Sequence, residues 1–116
     1  MIPRRLIGGV LALAAFAGLA GAAVRTALVL DAVLSTRGPF DVHLDVLHAA
    51  VAAGREAGEY FHAQVLLARG EVLRARGDLA GAARDLEAAT PGVAQEVRLR
   101  ARLQEQKAHL ARIRGE

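Results

Sequence analysis

Leu6 to Val24 reads LIGGVLALAAFAGLAGAAV, nineteen consecutive residues without a charge, and no other stretch restricts the fold of this chain as strongly. As a helix it covers about 28 Å, close to the hydrocarbon thickness of a bilayer. Arg4 and Arg5 stand before it and Ala20-Gly21-Ala22 near its end, so a secretory signal with a small-x-small cleavage site competes with an uncleaved anchor. Apolar character resumes after Arg25 in TALVLDAVL, whereas a signal peptide is followed by a polar mature start; this favours the anchor. Arg4, Arg5 and the amino terminus outweigh Arg25 and Arg37 on the far side, which places the bulk of the chain outside the cytoplasm, in the periplasm of a bacterium. Cleavage and export are the alternative. Ala14, Gly18 and Ala22 recur at four-residue spacing, a small-residue face on which another membrane helix can pack closely.

Beyond the span the expectation is all-α. No stretch alternates with strand periodicity, and turn signals fall at helix-length intervals. The expected organisation is residues 1–34 as basic start, span (6–24) and helical extension, residues 35–40 as linker, and residues 41–116 as a helical domain. In STRGPFD, Gly38 and Pro39 break the chain and Asp41 is a candidate N-cap. A helix is expected from there to about Ala53, where GREAG interrupts it. The next is expected from Glu59 to Arg76, with Phe61, Val65, Ala68, Val72 and Ala75 at three- and four-residue steps, widened by Leu66 and Leu73. Gly77 and Asp78 supply a C-cap and an N-cap. A following helix carries Leu79, Ala82, Ala83, Leu86 and Ala89. Thr90 and Pro91 are expected to open a last helix through Ile113, with Val93, Val97, Leu103, Leu110 and Ile113 as its apolar residues.

Little here is suited to chemistry. Without cysteine there are no disulfides, thiolate metal sites or thiol nucleophiles. Ser35 is the only serine and sits in the breaker. Asp41, Asp45 and His48 lie at i, i+4 and i+7 on one helical face, but that spacing is also what the wet face of an amphipathic helix contains, so no metal or other cofactor is expected. The net charge of +3 resides in Arg4, Arg5 and Arg25; residues 26–116 balance twelve basic against twelve acidic side chains. Arg98, Arg100, Arg102, Arg112 and Arg114 point in different directions around one helix, and Tyr60 and Phe61 are adjacent and expected to diverge. A nucleic-acid surface is therefore not expected, nor is an enzyme. Lys107 is the only lysine among fifteen basic residues, and with the abundance of Ala and Gly this suggests a GC-rich bacterial genome.

Leu66 to Pro91, LLARGEVLRARGDLAGAARDLEAATP, resembles a tetratricopeptide repeat, a module of about 34 residues built from two antiparallel helices. Leu66 matches the family's first large residue, Gly70 the small residue where the helices cross, and Leu73 a place the family usually gives to an aromatic. Gly77-Asp78-Leu79 matches the turn, Ala82 the small residue of the second helix, Leu86 its bulky one and Ala89 its second small one. Pro91 falls earlier than the family's closing proline. The resemblance covers one repeat, and a lone hairpin cannot bury its apolar face, so the flanking helices are expected to act as partial repeats or caps. It also implies a concave surface lined by the first helix, with Gln64, Arg69, Glu71 and Arg76 as partner-binding residues. The function expected is a membrane-anchored adaptor that assembles a protein complex at the extracytoplasmic face. The alternative is a small structural subunit of a membrane complex, packed mainly through its span.

Overall fold

The computed structural model describes residues 20–37 and 40–116. Among these residues the chain is entirely helical: α1 (Ala20–Arg37), α2 (Phe40–Ala57), α3 (Glu59–Ala75), α4 (Leu79–Ala89), a 3-10 turn (Pro91–Val93) and α5 (Val97–Arg114). Helix α3 is the centre of the array. It packs against α1, α2, α4, α5 and the 3-10 turn, and accordingly Ala63, Val65, Leu66, Leu67, Ala68, Gly70, Val72 and Leu73 are all buried. A helix apolar on several faces belongs inside. The expected stripe holds for Val65, Ala68 and Val72, with Phe61 half-buried and Ala75 exposed at the last turn.

The turn between α3 and α4 follows from its residues. Gly77 adopts φ +93°, which a residue with a Cβ rarely tolerates. Gly77 N–H donates to the Arg74 carbonyl at 3.0 Å and Asp78 N–H to the Leu73 carbonyl at 2.8 Å, the paired closure of a Schellman motif. Asp78 Oδ1 then accepts from Gly81 N–H at 2.8 Å, capping α4 as expected.

Three expected boundaries are corrected. Helix α2 does not end at Ala53; it continues to Ala57 and breaks at Gly58, φ +111°. Gly54 lies inside the helix where α2 crosses α3, and a Cβ there would stand 3.0 Å from His62 Cα. Asp41 is not an N-cap but a first-turn residue of α2, paired with Arg76 at 3.2 Å. Thr90-Pro91 opens only the 3-10 turn, after which Glu96 caps α5 by accepting from Arg98 N–H at 3.2 Å. The interruption lets the chain reverse between α4 and α5. The later start also shifts which residues are buried: Leu99, Leu103, Gln106 and Leu110 form the inner stripe, while Val97 (67% exposed) and Ile113 (47%) face out. Neither lies a whole number of turns from Leu103. Val93 is buried as expected.

Helix α1 belongs to the same core, with Ala23, Val24 and Ala27 buried alongside Val46, Leu47 and Ala50 of α2. His43 Nε2 and Asp31 Oδ1, 2.5 Å apart, add a polar tie between these two helices. Because α1 runs through Arg37 and α2 begins at Phe40, the expected linker narrows to residues 38–39, which lie outside the described residues. Most of the 6–24 segment also lies outside them, and only its last residues, from Ala20, are seen, opening α1. Among the described residues no helix is long and apolar enough to cross a membrane.

Candidate partner groove

Helices α2 and α4 flank α3, yet no Cα of one lies within 8 Å of the other. The space between them is a groove of about 290 Å³, floored by Arg69 and Leu73 of α3 and walled by Leu44 and His48 of α2 and by Arg84 and Asp85 of α4. Arg69 crosses the floor and binds Asp85 through both ends of its fork, Nε to Oδ2 and Nη2 to Oδ1, each at 2.7 Å. This bidentate geometry is the strongest an ion pair adopts. The Asp85 side chain is 6% exposed and that of Arg69 20%, so each neutralises a charge that burial alone would make costly.

The remaining Arg69 nitrogen, Nη1, lies 3.2 Å from His48 Nδ1. A guanidinium only donates, so the imidazole is neutral at this contact and carries its proton on Nε2. Burial pushes the His48 pKa below its ordinary value and the Arg69 guanidinium pushes the same way, against smaller opposite pulls from Asp45 and Asp85. His62, about two turns before the groove on α3, is also lowered, by burial first and by Arg55 next. Its Nε2 is buried without a hydrogen-bond partner among the described residues.

The four residues expected to bind a partner are sorted onto two sides of α3. Arg69 lies in the groove, and Arg76, just after α3, pairs with Asp41 at the start of α2. Glu71 instead faces α5, accepting from Gln106 Nε2 at 2.7 Å and Arg102 Nε at 3.2 Å, and Gln64 Nε2 donates to the Tyr60 hydroxyl at 3.4 Å. The two pairs are offset by five residues, about 140° around a helix. The residues expected to pack the hairpin do come together: Leu66, Gly70, Leu73, Ala82, Leu86 and Ala89 are all buried. A Cβ at Gly70 would stand 3.5 Å from Leu86 Cδ2 and 3.7 Å from the Ala82 carbonyl. The crossing is thus close, with space for one methyl group. Of the small residues expected on a membrane-helix face, Ala22 is exposed on α1, and Ala14 and Gly18 lie outside the described residues.

Asp41, Asp45 and His48 are not gathered around a common point. Asp41 meets Arg76 and His48 meets Arg69, and among the described residues no group of three His, Asp or Glu side chains is placed to hold a metal. Nor are the side chains of Arg74 and His109 isolated, since Arg74 Nη1 lies 3.2 Å from His109 Nε2. Tyr60 and Phe61 do not diverge; their rings meet edge to face at 5.3 Å. Asp85 was the groove residue with a sequence signal. It sits at i+3 from Ala82 and beside Leu86 on the apolar stripe of α4, and a carboxylate there needs a buried cation. Leu44 and Arg84 carried no such mark.

Comparison with known protein families, characterised proteins and solved structures finds no match to this chain.

Proposed function

We propose that this chain is a tetratricopeptide-like adaptor, tethered to the membrane by its N-terminal segment and holding a protein partner at the extracytoplasmic face. The observation that carries the reading is the groove between α2 and α4. Half-buried Leu44 offers apolar surface, Arg84 a charge, and the Arg69–Asp85 pair a rigid floor whose polar atoms are already occupied. A surface of this kind recognises a peptide or helix by shape and rim contacts.

The tether has a length limit. Among the described residues Ala23 is the first buried one, so a span can use at most residues 6–22, about 25 Å of helix, at the short end of what crosses a bilayer. The same observation favours a second reading, cleavage after Ala22 and export, because the mature chain would then begin at the first buried residue among those described. Mass spectrometry of the native protein separates the two by the first residue found. The adaptor reading itself is tested by placing a photo-crosslinking residue at Leu44 and, separately, at Gln104 on the outer face of α5. A protein adduct from position 44 and none from 104 is expected in native membranes; equal adducts, or none, would refute the groove assignment.

A further inference from the structure

The partner groove occupies the end of the array where α2 and α4 begin. The opposite end, where α1 begins and the apolar segment 6–19 joins it, has a different surface. The second turn of α1 and the first of α3 meet there, with the Arg25 guanidinium 5.6 Å from the Phe61 ring centre. Phe61 meets Tyr60 edge to face, and Tyr60 is 45% exposed. The 3-10 turn is pressed onto the same turns of α3, since a Cβ at Gly92 would overlap the Glu59 carbonyl. That brings the start of α5 beside Tyr60, and a cleft of about 490 Å³ opens between them, lined by Tyr60, Gln64, Glu96, Arg98 and Leu99. Val97, between two of these residues, is 67% exposed. The charged side chains of this end are Arg25, Arg55, Arg98 and Arg100 with Glu56, Glu59 and Glu96. Glu96 is engaged as the α5 cap and Arg100 donates to the Ala94 carbonyl.

An exposed tyrosine and an exposed valine set among four arginines and three glutamates have the chemistry of a bilayer interface. Tyrosine places its ring among acyl ends and its hydroxyl among headgroups, and arginine pairs bidentately with phosphate. The chain also reaches this end from the apolar segment 6–19, and Ala23 is already buried in the array, so few residues are left for a linker between the array and a span. We infer that this end of the helical array lies on the lipid surface, with Tyr60 and Val97 entering the headgroup layer and Arg25, Arg55 and Arg98 meeting lipid phosphates. The inference rests on the membrane tether proposed above. It fixes the orientation of the array, turning the α2–α4 groove away from the bilayer and toward a partner.

Tyr60 is the only tyrosine and the chain has no tryptophan, so intrinsic fluorescence reports on this one position. The full chain is reconstituted into phosphatidylcholine–phosphatidylglycerol vesicles, with quenching measured from nitroxide-labelled headgroups and from aqueous iodide. Tyr60 is expected to be quenched several-fold more by the headgroup nitroxide, and several-fold less by iodide, than the same ring placed at the far end in the double variant Tyr60→Phe, Ile113→Tyr. If the chain stays with the vesicles through an alkaline wash but the two positions are quenched alike, or Tyr60 is open to iodide, the docking inference is wrong and the tether stands. A chain that leaves the vesicles in that wash overturns the tether and the docking together. Protection of Tyr60 from iodide without nitroxide quenching assigns this end to a protein contact and also overturns the inference.

Discussion

The 3-10 turn meets α3 at a residue with no side chain, and adding one carbon there should be among the most damaging small changes available. In Gly92→Ala the new Cβ would stand 2.3 Å from the Glu59 carbonyl oxygen and 2.6 Å from Ala63 Cβ. Carbon atoms in contact prefer about 3.5–4.0 Å, so the 3-10 turn must retreat by about 1 Å. Neither obstacle can rotate away, one being backbone and the other a Cβ fixed to a central helix. The retreat would also lift Val93, which is buried, out of its contacts. Overpacking of this kind costs about 1–3 kcal/mol, and with no rotamer to relieve it the upper part of that range is expected. For a small domain each kcal/mol is worth about 4–8 °C in midpoint, so a loss of about 10–20 °C should appear in far-ultraviolet circular dichroism of the full chain in mild detergent. Gly70→Ala is the control with opposite sign: its Cβ meets nothing closer than 3.5 Å, and replacing a helical glycine gains about 0.5–1 kcal/mol. A Gly92→Ala variant melting within about 2 °C of the parent, a difference well under 1 kcal/mol, would show that the 3-10 turn does not pack on α3 as described.

Gly70→Leu should lower the midpoint where Gly70→Ala raises it, by about 1–3 kcal/mol, because atoms beyond Cβ run into Leu86 and Ala82; a midpoint at or above the parent refutes the crossing and the repeat resemblance built on it. Asp85→Ala strands Arg69 in a largely buried site and should cost about 3 kcal/mol, whereas Arg69→Met with Asp85→Leu should cost much less; equal losses in chemical denaturation would mean that the pair is not buried as described. His62→Leu removes a buried unpartnered nitrogen and should stabilise by about 1 kcal/mol, read as a raised denaturation midpoint at pH 8. Both lowered histidines make stability pH-dependent with one sign. The unfolded chain takes up protons near pH 6.5 while the folded chain takes them up only at lower pH, so stability is full above about 6.5 and declines as pH falls through it toward the folded values. His48→Gln with His62→Leu should flatten the decline of the midpoint between about pH 7.5 and 5.5, and an unchanged slope would assign it to other groups.

What could be read from the sequence was local. Gly77 and Asp78 determine their turn through backbone conformation and capping, so the α3–α4 hairpin and its buried Leu66, Ala82, Leu86 and Ala89 were legible residue by residue. Gly54 and Gly92 were not, because a glycine inside a helical pattern looks the same whether it breaks the chain or admits a neighbouring backbone, and only the neighbour's position decides. The start of α5 was misplaced for a related reason: Thr90-Pro91 is a sound opening signal, but it opens one short turn that tertiary packing then ends. The groove was legible only in part. Asp85 on an apolar stripe announces a buried cation, yet four arginines precede it within α2, α3 and the turn after α3, and nothing local selects Arg69 among them.

That selection bears on how such a core holds one arrangement. The seam around α3 is built largely from Ala, Gly, Val and Leu, and small side chains present shallow ridges that discriminate weakly between neighbouring registers. A one-turn slip of α4 along α3 would exchange one alanine contact for another at little cost. It would also pull Asp85 about 5 Å from Arg69, leaving two charges in a low-dielectric site, so the pair penalises the slip even if it adds little net stability. The contact of Arg69 with His48 carries the same constraint to α2. One guanidinium thus ties together the helices on both sides of the groove, and its shape depends on a polar link that the apolar core does not supply. The comparison of Asp85→Ala with the apolar double variant separates these contributions: the double variant should recover stability and still lose the single arrangement that a partner recognises.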